Sequence, residues 1–168
     1  TSETETSVMV PTHFFRLLAL PDEVKAKYDV SSMKLMAHTG AKCPVEVKAA
    51  MIEWFGPVFR DAYGATEVGT VCTISSEEWL EHQGSVGRSV PPFTAVVLDE
   101  EMNEVAPGVE RRLFFRDATG RGIVYPNDPE KTAASNPEPG LFTLGEIGYM
   151  DADGYVFITD RFSDMVVS

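Results

Sequence analysis

The sequence predicts a mixed α/β protein: the end of a parallel-sheet α/β subdomain followed by a small antiparallel, β-barrel-like subdomain. Three observations predict it. Up to about residue 60 the apolar runs follow each other as strand, helix, strand, which is the pattern of a parallel layer. Beyond residue 80 long helical periods stop, and short strand candidates recur between turn signals. The charge also divides: residues 1–78 hold 7 basic and 11 acidic side chains, and residues 79–168 hold 7 and 15. These place a boundary near residue 78, giving subdomains 1–78 and 79–168.

Taken in order, Thr1 to Ser7 carry no apolar side chain and read as a frayed end or linker. Pro11 suits a first helical turn, and Phe14, Leu17 and Leu18 follow at helical spacing until Leu20-Pro21. Met33 to His38 reads as a short buried strand broken by Thr39-Gly40. Pro44 opens a second helix to about Phe55, with so wide an apolar arc that only Glu46 and Glu53 mark a wet face. Gly56-Pro57 stops it, and Val58-Phe59 starts another strand. In the second half, strands are expected at Thr94 to Leu98, Arg112 to Phe115, Ile147 to Met150 and Tyr155 to Thr159. A short helix is expected near Asp128 to Ala134. Asp151 to Gly154 has the start of a calcium loop, but its twelfth position is Phe162 rather than Glu, so a hairpin turn is the better reading.

Composition excludes several functions. With 168 residues, 43% hydrophobic, the chain is globular rather than disordered. A formal net charge of -12 argues against nucleic acid or an anionic membrane as main partner. No apolar run reaches the roughly 18 residues of a membrane span. Cys43 and Cys72 make no disulfide framework. A cytoplasmic protein is the expectation. Oligomeric state is not legible. Thr1 is not an initiator methionine, which gives the expectation of a piece of something longer.

The segment Asp61-Ala62-Tyr63-Gly64-Ala65-Thr66-Glu67 carries a chemical signal. A strand runs into a small-residue turn that presents a hydroxyl and a carboxylate together. That pair suits a phosphate and its magnesium ion, and glycine and alanine let a backbone come close to a ligand. A loop with an incidental Thr-Glu pair is the alternative. Further stretches fall in order around it: Val10-Pro11-Thr12-His13, Gly84 to Arg88, Asp128 to Ala133, Phe142 to Tyr149 and Gly154 to Val166.

Together these motifs resemble successive core motifs of the adenylate-forming acyl-CoA synthetases, a superfamily that also holds luciferases and peptide-synthetase adenylation domains. The resemblance covers about Val8 to Ser168. It implies an ATP- and Mg2+-dependent ligase that joins a small-molecule carboxylic acid to AMP as an acyl-adenylate and then transfers the acyl group to coenzyme A. It implies that Tyr63 stacks on adenine, Thr66 bonds the α-phosphate and Glu67 binds Mg2+. Thr39, Gly40 and Ala41 would form a loop between adenine and the acyl pocket, where Lys42 departs from the usual small residue or Pro. His13 would line the carboxylate site, against an alternative as a helix-start histidine. Glu146 would hold the ribose hydroxyls where the family has Asp, and Arg161 would contact ribose or phosphate. Ser163 and Asp164 would be the hinge to a further domain. The family's phosphate loop and its catalytic lysine fall outside this sequence, so the chain alone is expected to be inactive. A fatty acid is the expected substrate. An aryl-acid ligase, a peptide-synthetase adenylation domain, or a non-catalytic nucleotide-binding module on the same scaffold remain as alternatives.

Overall fold

The structure, a computed structural model, describes residues 4–161. By packing the chain divides into two compact units. One is the chain up to Ala62 together with Ile74–Gly84. The other is Tyr63–Thr73 together with the chain from Ser85 onward.

The first unit is a parallel layer with its crossover helices. In chain order it contains β1 (Thr6–Met9), α1 (Pro11–Leu18), α2 (Asp22–Lys25), β2 (Leu35–His38) and α3 (Val45–Phe55). The start of β3 (Phe59–Ala65), the end of β4 (Gly69–Ser75) and α4 (Ser76–Glu81) complete it. β1 runs parallel to β2, with Met9 opposite His38, and β2 runs parallel to β3, with His38 opposite Asp61. Parallel neighbours need a crossover, and the helices between the strands provide it. Phe14 of α1 is wholly buried and meets Phe59 edge-on, with ring centroids 5.6 Å apart. The expected frayed end is corrected from Thr6 onward, because Thr6 and Ser7 pair with Leu35 and Met36. Backbone pairing needs no apolar side chain, so composition gave no sign of it. α4 was hidden by its brevity, yet it carries a capping box. Ser75 Oγ accepts the Glu78 N–H at 3.3 Å, and Glu78 Oε2 accepts the Ser75 N–H at 2.9 Å.

The second unit is built on an antiparallel sheet. After the end of β3 and the start of β4 come β5 (Arg88–Ser89), β6 (Phe93–Leu98), β7 (Arg111–Asp117) and α5 (Pro129–Ser135). β8 (Leu141–Phe142), β9 (Glu146–Met150) and β10 (Val156–Arg161) follow. β3 and β4 neighbour each other across a three-residue connection, which only an antiparallel return allows. The main sheet has the order β10-β9-β7-β6, with β8 on β7. It is antiparallel as expected, but among the described residues its path stays open and no barrel closes. Val97, Leu113 and Phe115 fill one face, and Val96, Leu98 and Phe114 are buried on the other. Burial on both faces explains why β6 reads as a continuous apolar run. Asp151–Gly154 is the β9–β10 turn: Asp151 Oδ1 accepts the N–H groups of Asp153 and Tyr155 at 3.0 and 2.8 Å.

Among the described residues no helix is long and apolar enough to cross a membrane.

Candidate functional site

In the first unit, two sequence-predicted segments follow the carboxyl ends of β1 and β2, and a third lies on the neighbouring parallel strand β3. His13 lies just beyond β1, Thr39-Gly40-Ala41 beyond β2, and Asp61 and Ala62 on β3 as it leaves its pairing with β2. Carboxyl ends of strands are where open α/β sheets receive ligands. The first two segments touch: the Thr39 N–H donates to Met9 O at 3.4 Å, and a Cβ on Gly40 would lie 3.4 Å from Val10 Cγ1. Thr39, Gly40, Ala41 and Lys42 are all exposed. His13 is also exposed, and its Nδ1 accepts the Val10 N–H at 3.3 Å. The ring therefore caps α1, and its Nε2 edge stays free of that bond.

Asp61 is buried more deeply than a ligand-facing carboxylate needs. Its carboxylate pairs with the Lys48 ammonium, and its Oδ2 lies 3.1 Å from His38 Nδ1. Burial works to raise the Asp61 pKa, but the His38 contact and the Lys48 charge outweigh it, holding the carboxyl below its ordinary value. For Lys48 burial dominates and lowers the pKa, with the Asp61 carboxylate opposing. Burial pushes the neighbouring Cys43 thiol up to about 11, so it is no nucleophile at neutral pH. Sequence reading missed His38 and Lys48. The available signal was the position of Lys48 on α3, with Val47 before it and Met51 and Ile52 three and four residues on. A lysine there must lie within the apolar arc.

In the second unit, Tyr63, Gly64 and Ala65 lie in β3, so the turn holds only Thr66, Glu67 and Val68. The turn read from sequence therefore begins later than its small residues implied. Gly64 has a structural reason of its own: a Cβ there would stand 1.9 Å from the Gly69 carbonyl oxygen. Glycine at this position lets β3 and β4 approach. Tyr63 is half-buried, its ring 6.3 Å from that of Phe115, and its buried hydroxyl has no hydrogen-bond partner. Thr66 and Glu67 are exposed on the turn.

Glu146 opens β9 directly opposite Arg161 of β10. Its place is fixed by the turn before it, where Thr143 Oγ1 donates to Leu113 O at 2.7 Å and accepts the Gly145 N–H at 3.0 Å. Glu146 Oε2 is buried without a hydrogen-bond partner. Burial pushes the carboxyl up to about 7, with Arg161 opposing. A buried oxygen without a donor is costly, and hydroxyl groups of a ligand would satisfy it. The hinge pair Ser163 and Asp164 lies outside the described residues.

The family model described as AMP-binding enzyme matches residues 2–120. The chain belongs to the AMP-binding enzyme family. It is 33% identical over 159 residues to the long-chain-fatty-acid–CoA ligase of Bacillus subtilis, covering 94% of this chain and 28% of that one. It is 34% identical over 169 residues to luciferin 4-monooxygenase of Photinus pyralis, covering 96% and 29%. The fold of the amide bond synthetase from Marinactinospora thermotolerans superposes with a TM-score of 0.82 at 25% identity, over 95% of this chain and 32% of that one. O-succinylbenzoate coenzyme A synthetase from Bacillus subtilis, bound to its acyl-adenylate intermediate, shares the fold with a TM-score of 0.80 at 22% identity, over 96% and 32%. The chain thus spans less than a third of the length of these proteins.

Proposed function

We propose that this chain is the part of an ATP-dependent acyl-CoA synthetase that holds the nucleotide, and that its substrate is a fatty acid. In this reading residues 1–78 end an α/β subdomain and residues 79–168 form most of a second subdomain built on the open antiparallel sheet. The acid carboxylate attacks the α-phosphorus of ATP, forming acyl-adenylate and releasing pyrophosphate. The coenzyme A thiol then attacks the acyl carbon, forming a thioester and releasing AMP. The observation that carries the reading is Glu146: a half-buried side chain with one buried, unpartnered oxygen, at a strand end beside Arg161. It can accept both ribose hydroxyls.

The other residues take complementary roles. Tyr63 offers its ring to adenine, and Thr66 its hydroxyl to the α-phosphate. The Glu67 carboxylate is a hard oxygen donor on an exposed turn and fits Mg2+. When bound, Mg2+ neutralises charge on the phosphates. Thr39, Gly40 and Ala41 separate adenine from the acyl pocket, His13 orients the carboxylate, and Ser163 and Asp164 serve as hinge. The protein's task is positioning and charge stabilisation.

The test is a coupled AMP-release assay of the complete enzyme over a panel of fatty and aryl acids with coenzyme A. Turnover highest with a fatty acid is the expected result. A preference for aryl acids would move the substrate class, and no acid-dependent AMP release would leave a nucleotide-binding module.

A further inference from the structure

Three side chains of the first unit are buried together without a part in that chemistry. The Lys48 side chain is 1% exposed, that of His38 7% and that of Asp61 15%. Lys48 is ion-paired to Asp61, and its Nζ stands 4.7 Å from the centre of the Phe59 ring. His38 Nδ1 stands 3.1 Å from Asp61 Oδ2, close enough to pair but out of hydrogen-bond alignment, its Nε2 is buried without a partner, and its ring centroid is 5.3 Å from that of Phe14. Such a group is a poor choice for stability alone. The cost of desolvating two charges offsets much of their attraction, and well-packed apolar residues of similar volume commonly do as well or better.

Placement gives another reason. His38 is the last residue of β2, and the Thr39–Cys43 loop, exposed from Thr39 to Lys42, starts at the next residue. Lys48 lies in the first turn of α3, the helix that begins where that loop ends. Both reach the same carboxylate, Asp61. They therefore fasten the two ends of the loop to one point on β3.

We propose that His38, Lys48 and Asp61 are positioning residues: a buried clamp that holds the Thr39–Cys43 loop in the shape that receives the nucleotide. In this role the three act through the loop and through one another. The proposal rests on the adenylate-forming reading for its ligand, but the clamp itself is a statement about the loop.

The experiment compares His38→Leu with His38→Gln in the complete enzyme, reading KM for ATP, KM for the acid, thermal midpoint and amide exchange at residues 39–43. Leu fits the apolar side of the site but gives Asp61 no donor; Gln gives a donor. The clamp predicts that His38→Leu raises KM for ATP about tenfold, as expected for a displacement of a fraction of an ångström to 1 Å. It also predicts faster exchange in the loop, with the thermal midpoint little changed and KM for the acid less affected. His38→Gln should restore both ATP affinity and loop protection. A core-filling role predicts the reverse order, with Leu tolerated and Gln destabilising, and that order would overturn the proposal. As a second arm, the apolar pair Lys48→Met with Asp61→Leu keeps volume without charge. A folded pair variant with wild-type KM for ATP and wild-type loop exchange would equally overturn it. Absence of acid-dependent turnover in the wild type would refute the proposed activity, while the exchange data still decide the clamp.

Discussion

At Glu146 one burial event sets both stability and ligand chemistry. Burial pushes the folded Glu146 carboxyl up to about 7, well above its ordinary value. A carboxyl raised in this way favours folding while both states are protonated, and that advantage is lost as pH rises through the folded pKa. Glu146→Gln, which cannot ionise, should therefore leave stability unchanged at pH 4. At pH 8 it should raise stability by something on the order of 2 kcal/mol, read from denaturant midpoints. The same variant should weaken ATP binding, because an amide accepts at only one of its two heavy atoms. Glu146→Asp should preserve or improve ATP affinity in a binding titration of the complete enzyme; a large loss would show that the site is built around the longer side chain. In the complete enzyme Glu67→Ala should sharply reduce adenylation, by about 100-fold or more, with the deficit greatest at limiting Mg2+; unchanged turnover there would remove the proposed metal role of Glu67.

At the scale of elements, close backbone approaches decide which substitutions the motifs accept. A Cβ on Gly148 in β9 would stand 2.2 Å from the Phe157 carbonyl oxygen of β10. Gly148→Ala should force these strands apart and lower stability by about 2 kcal/mol or more, with a fall in thermal midpoint as the measurement. Because Glu146 and Arg161 face each other across the same pair of strands, the variant should also weaken nucleotide binding. Ser75→Ala should cost about 1 kcal/mol through loss of the α4 cap, and it should leave KM for ATP unchanged. α1, α3 and α5 were legible in the sequence because Pro11, Pro44 and Pro129 stand at their starts and their apolar positions or small residues keep helical spacing. β4 was not. Its Gly69-Thr70 opening and unalternating Val71-Cys72 reflect a strand that neighbours others on both sides, and no periodicity announces such a strand.

For the whole molecule, the order of motifs along the chain carried the family, and their physical surroundings had to come from the structure. Thr66 and Glu67 could be singled out because their chemistry is on the surface of the turn. The clamp could not, because Asp61 looked like part of the ligand motif and its partners His38 and Lys48 sit 23 and 13 residues earlier. Only the parallel register of β2 on β3 brings His38 to Asp61. The chain spans less than a third of the length of its relatives, and the proposed activity is that of the complete enzyme. The chain expressed alone should therefore show no pyrophosphate exchange above blank with any acid, and clear exchange would refute the division of labour.

β1 has a practical consequence for such an experiment. It lies at one end of its sheet with β2 as its single described neighbour, and Val8 is 70% exposed. An open strand edge with an apolar residue on it invites pairing with a second chain. Purified by itself, the chain should associate through this edge as its concentration rises. Val8→Lys would place a charge there and should keep the sample monodisperse in light scattering, without disturbing the strand's hydrogen bonds to β2.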